Sequence, residues 1–250
     1  GEPVMADLLP SLSPLAWAFC LISTMVAAAF QRITGQGFGM IAAPLVALVA
    51  PHMLPTALLV LGAVVGYRAM RADFSAVNLS ELPAGMAGRA LGAVLAAWLA
   101  GALIGSGSIG IAIALVVFTA IGLSLAGLRV AISRLSLFVA GLAAGLMGTL
   151  TAIGAPPMAL LYQHEDRKRS AAMQNSFFMF GMVVSFAALF WQGLVRLDHI
   201  GFAILLAPAV FAGLAASNII NRVLGDFPAR PIALGLAGVS ASLLLIQSLS

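Results

Sequence analysis

From residue 14 to residue 248 one apolar run follows another, separated by short breaks and never by a soluble block. About 20 apolar residues cross the hydrocarbon of a bilayer as a helix. Inside that layer each backbone amide needs a partner within its own segment, so runs of this kind can only be helices. The candidate segments are 14–33, 37–50, 53–70, 84–104, 108–127, 134–152, 154–163, 170–191, 198–219 and 229–248. Only 8% of the 250 residues are charged, against roughly a quarter in a soluble domain, so no water-facing surface can be assembled. The expected fold is an all-α polytopic membrane protein, a single transmembrane domain over residues 1–250. Glu2 and Asp7 precede the first run and no basic stretch does, so the run is expected to stay as a helix instead of being cleaved as a signal peptide.

Two segments, 37–50 and 154–163, are too short to cross alone. Each follows a glycine-rich break and carries proline early, at Pro44 and at Pro156-Pro157. Half-helices or short tilted crossings are expected there. If all ten segments traverse, one side collects Arg32, Arg68, Arg71, Arg129, Arg134, Arg167, Lys168, Arg169, Arg222 and Arg230, with Arg89 toward it, and the other side holds only Arg196. The positive-inside rule makes the crowded side cytoplasmic and both termini periplasmic. The net charge of +4 therefore orients helices, and nucleic acid is not an expected partner. Eight full spans with two re-entrant loops would keep the same termini.

The order of features repeats. A long helix, a glycine break, a short proline-bearing piece and three helices make up residues 14–127, and the same series returns over 134–248. Ile33-Thr34-Gly35-Gln36-Gly37-Phe38-Gly39 sets against Gly148-Thr149-Leu150-Thr151-Ala152-Ile153-Gly154. A unit of five crossings is odd, so its second copy starts from the opposite face. Two inverted repeats of about five helical segments each are expected, a construction of secondary transporters.

An unwound stretch at membrane depth survives only where it lines a cavity or is buried in protein. Two breaks in matching positions therefore point to a site between the repeats, and the half-helices after them present free N–H groups and a positive dipole end to an anion. The binding candidates are Thr34, Gln36, Gly37 and Gly39 at the first break and Thr149, Thr151 and Gly154 at the second. Gln174, Asn175 and Ser176 join them, because neighbouring amides are costly in hydrocarbon unless paired. They are expected to face the second break. The matching stretch of the first half, Leu59-Val60-Leu61, is apolar, so side-chain donors are expected mainly from the second half. Arg32 and Arg89 are further candidates as charge partners, although an arginine near a helix end ordinarily snorkels to the headgroups. His52 and His199 fall at outer ends, where solvation is expected.

Other chemistry is thinly represented. Cys20 is the single cysteine and reads as a small buried apolar residue. No nucleophile–base pair or metal-ligand cluster is visible, so no enzyme activity, cofactor or metal is expected. Gly105-Ser106-Gly107-Ser108-Ile109-Gly110 fits the dinucleotide fingerprint, but that motif needs a preceding strand, and here it joins two membrane helices. Pairs such as Gly88 with Gly92 and Gly141 with Gly145 indicate close helix packing and leave a homodimer open.

With Gly35-Gln36-Gly37-Phe38-Gly39 and Pro44 in one half, and Gly145-Leu146-Met147-Gly148 and Gly154-Ala155-Pro156-Pro157 in the other, the chain resembles the TauE/SafE family of membrane transporters. The family's first motif commonly has three consecutive glycines where this chain has Phe38 between two. The resemblance implies export of a small sulfur-containing anion, sulfite or an organosulfonate, across a bacterial inner membrane. The residues alone give an anion-favouring site in the bilayer, and leave an anion channel or a structural subunit of a membrane complex as alternatives.

Overall fold

The computed structural model describes residues 11–106, 108–224 and 228–249, which form ten helices and no strand. They are α1 (Pro14–Thr34), α2 (Phe38–Ala47), α3 (Thr56–Ala72), α4 (Leu82–Gly105), α5 (Ile109–Leu125), α6 (Arg134–Thr151), α7 (Pro156–Tyr162), α8 (Arg167–Trp191), α9 (Leu197–Leu224) and α10 (Ala229–Leu249). Each expected segment has its helix. Among the described residues six helices, α1, α4, α6, α8, α9 and α10, are long and apolar enough to cross a bilayer. At ~1.5 Å rise per residue, the seven residues of α7 cover only a fraction of that thickness.

Local chemistry sets the ends. Ser13 caps α1 by accepting from the Ala16 N–H, and Ser133 and Ser136 cap α6 reciprocally. Pro156 and Pro157 open α7, where their fixed φ suits a first turn and a missing N–H costs nothing. α1 stops at Gly35, in the left-handed region at φ 77°, and α6 stops at Ala152, at φ 64°. These matching caps lie two residues out of register with the motif alignment, which had set Gly37 against Ala152. The fingerprint-like run ends α4 at Gly105 and starts α5 at Ile109; Gly107 lies outside the described residues, as do Glu2 and Asp7.

Packing pairs the two halves. α4 lies along α6 and α9 along α1, α3 packs on α8 and α5 on α10, while α10 also touches α2 and α5 touches α7. Exchanging each helix for the one five places along maps these pairings onto one another. At the α4–α6 seam Gly88 sits on the backbone of Phe138, Gly92 on that of Leu142 and Gly145, and Gly141 on that of Gly85, where any Cβ would collide. Small residues let these backbones touch, and large apolar side chains such as Trp98, Val139 and Ile204 point outward.

Side-chain bonds sort the helix ends into two faces. On one, Arg32 pairs with Asp73 at 2.8 Å, joining the ends of α1 and α3. On the same face Glu81, before α4, takes Arg169 of α8 at 2.7 Å and the Tyr162 hydroxyl of α7 at 2.8 Å. Arg230 of α10 donates to the Ser124 carbonyl of α5 at 2.8 Å. On the opposite face the Gln247 amide of α10 donates to the Leu48 carbonyl beyond α2 at 3.1 Å, and His199 meets the His52 carbonyl at 3.1 Å. His199 is buried and His52 exposed, so only His52 keeps the solvation expected of both. The basic loops thus share one face, as the charge count requires. α6 and α7 form a hairpin whose ends lie there, and α1 and α2 form one whose ends lie opposite.

Candidate functional site

The tips of the two hairpins meet. Gly39, at the start of α2, lies directly on the backbone of Ala152 and Ile153, and Gly35 lies on Ala171 and Gln174 of α8. Both breaks and the α8 amides are therefore one neighbourhood, as the sequence reading requires, yet they are built differently.

The first break is closed by one side chain. Gln31, in the last turn of α1 and fully buried, accepts from the Phe38 N–H at 3.0 Å through Oε1. Its Nε2 donates to the Gly35 carbonyl at 2.8 Å and to Asn175 Oδ1 at 3.0 Å. A helix N-terminal donor, an unwound carbonyl and the oxygen of an α8 amide are satisfied at once. Gly37 reaches φ 121° beneath this arrangement, a conformation that side chains resist. Thr34 bonds the Phe30 carbonyl at 2.9 Å and also Gln36 O, so its hydroxyl serves the turn.

The second break holds a charge. Arg89, seven residues into α4, is buried, and Nε, Nη1 and Nη2 all lack a hydrogen-bond partner among the described residues. Its guanidinium fills a slot whose walls are glycines: Gly148 of α6, Gly154 of the break and Gly181 of α8, each in direct contact with it. Ala144, Ala155, Met158, Phe177, Phe178 and Gln174 close the slot, leaving about 10 Å³ of free space, room for about one water. The arginine does not snorkel, because the glycine walls admit it inward and the α4–α6 seam holds it there.

Gln174 links this slot to the exterior. It also lines a cleft of about 360 Å³ that opens toward the basic face past Thr34, Gln36, Ser170, Gln163, Arg167 and Arg230. Its Nε2 donates to the Ser170 hydroxyl at 2.8 Å, while its Oε1 has no partner. The Asn175 Nδ2 is likewise buried without an acceptor.

The remaining candidates fall away from the slot. Thr149 bonds Ser185 at 2.7 Å, Thr151 bonds the Met147 carbonyl at 2.7 Å, and Ser176 bonds the Ala172 carbonyl at 2.8 Å. All three hydroxyls are spent on helix packing. Arg32 is engaged with Asp73 at the face. Asn175 turns to the first break instead of the second, through Gln31. Arg89 and Gln31 both come from the first half, so the donors are not drawn mainly from the second. The amide cup expected at α7 is poor, since Pro156 and Pro157 have no N–H and the helix is one short piece; the positive charge comes from a side chain instead. Gln31 was missed, although an amide four residues before the glycine that ends its helix was the available signal.

The comparisons with known proteins agree with this architecture. The family described as Sulfite exporter TauE/SafE matches residues 20–244, nearly the whole chain. The chain belongs to that family. It is a family of membrane transporters and not of enzymes, which suits ten packed helices around a buried cation. No curated protein and no solved structure matches this TauE/SafE member.

Proposed function

We propose that the chain is a secondary transporter that exports a small sulfur-containing anion, sulfite or an organosulfonate, from the cytoplasm, binding it at Arg89 beside the second break. One observation carries the reading: a buried guanidinium with three unpartnered nitrogens. A lone arginine at membrane depth costs at least ~3 kcal/mol, and an oxyanion is the ligand that offsets it, through charge and paired N–H···O bonds. Gly154 and Gln174 border that position. The sulfur comes from the family, and the anion from the site.

The cleft supports access from the basic face, which the positive-inside rule makes cytoplasmic, with the termini periplasmic in a bacterial inner membrane. Gln174 lines both cleft and slot, so an anion passes when it moves. The pairwise exchange of helix contacts, and hairpins opening on opposite faces, favour an inverted repeat whose halves rock about the meeting tips. Among the described residues no carboxylate lines the slot, which favours uncoupled efflux. With the interior negative, each charge leaving gains about 2.3 kcal/mol per 100 mV.

Reconstituted vesicles with an imposed potential test this. Sulfite flux should saturate, follow voltage and ignore a pH gradient. Flux that follows the pH gradient and ignores voltage would overturn uncoupled export, and flux without saturation or counterflow would indicate a channel.

A further inference from the structure

A second basic cavity lies on the same face, away from Arg89, between the ends of α1, α3 and α9. It measures about 610 Å³. Arg68, Arg71, Tyr67 and Asn218 line its upper part, and Phe211 and Leu214 its lower part. Arg68 and Arg71 are exposed and make no side-chain hydrogen bond or ion pair among the described residues. Arg32 also lines it, but its charge is matched by Asp73. Two uncompensated cations thus sit over a cavity with no carboxylate in its lining.

The cavity is polar at one end and apolar at the other. α9 runs toward the basic face, so Phe211 lies seven residues, ~10 Å, deeper than Asn218. Phe211 and Tyr67 are both about half exposed, at 48% and 50%, which opens the wall sideways to the bilayer. A soluble anion needs only the arginines. A molecule with a phosphate at the top and hydrocarbon below uses both ends.

We propose that this cavity binds an anionic glycerophospholipid, its phosphate on Arg68 and Arg71 and an acyl chain along Phe211 and Leu214. Basic pockets between transmembrane helices on the cytoplasmic side suit such headgroups. The proposal does not depend on Arg89 or on the transported substrate.

Native mass spectrometry of the purified protein with phosphatidylglycerol or phosphatidylcholine tests it. Phosphatidylglycerol should be retained over phosphatidylcholine. Arg68→Ala with Arg71→Ala should weaken that retention about 30-fold, from ~1 kcal/mol per arginine, while the exposed control Arg129→Ala leaves it unchanged. Equal retention of the two lipids, or no loss in the double variant, would overturn the proposal. Displacement by millimolar inorganic phosphate would overturn it too, in favour of a soluble-anion site. Should the double variant fail to fold, a photoactivatable phosphatidylglycerol on the unaltered chain decides: crosslinks within 211–218 support the site, and crosslinks only elsewhere refute it.

Discussion

The two breaks have the same outline and opposite chemistry. Each ends a long helix on a left-handed residue and starts a short helix near proline, and the two touch through Gly39 and Ala152. At the first, Gln31 satisfies the backbone and the Asn175 Oδ1 together. At the second, Arg89 brings a charge that nothing among the described residues satisfies. The α9 helix, five places after α4, has no charged residue between Asp198 and Arg222. Two joints of the same outline can thus differ, one with its backbone satisfied and one open. The open joint is where a ligand has something to do.

The sharpest way to break this comparison is Arg89→Met. Removing the partner of a desolvated anion costs ~2–5 kcal/mol, so transport should fall about 100-fold or more. The folded protein should be no less stable, since an uncompensated buried charge goes with the side chain; thermal unfolding in detergent checks this. Gln31→Leu should act the other way. It leaves the Phe38 N–H and Asn175 unsatisfied at ~1–3 kcal/mol each, so unfolding should come ~3 kcal/mol sooner, while correctly folded protein binds the anion as before.

Two glycines sharpen the contrast. Gly39→Ala drives a methyl into the Ala152 backbone and should destabilise the fold by ~1–3 kcal/mol. Gly154→Ala first meets the guanidinium of Arg89, the far end of a flexible side chain, so folding should hold while anion affinity drops about tenfold as the guanidinium shifts. The smallest effect belongs to the caps. Ala152 occupies a left-handed conformation that Gly35 takes freely at the other break, and Ala152→Gly should raise stability by ~1 kcal/mol with transport unchanged, measured by denaturation midpoint.

The ten segments were legible because hydrocarbon enforces helices, and glycine followed by proline marks where they stop. Gly154 and Gln174 were legible as neighbours at the second break for the same reason. Arg89 was harder. Its spacing from the start of α4 fits snorkelling, and only the packing of Gly148, Gly154 and Gly181 from three other segments explains why it turns inward. Thr149, Thr151 and Ser176 instead bond within the bundle, because hydroxyls at helix depth reach carbonyls a turn back or a neighbouring hydroxyl. Asn175 was assigned to the wrong break, since its partner Gln31 comes from 144 residues earlier.

The direct test of Arg89 as the anion's partner is a thermal-shift titration of the purified chain with sulfite, beside Arg89→Met. Ligand at about 100 times its Kd adds ~2.7 kcal/mol to the folded state, a shift of ~5 °C or more for a chain this size. The unaltered chain should show that shift and Arg89→Met none. Equal stabilisation of both, or stabilisation of the unaltered chain by cations alone, would contradict the account.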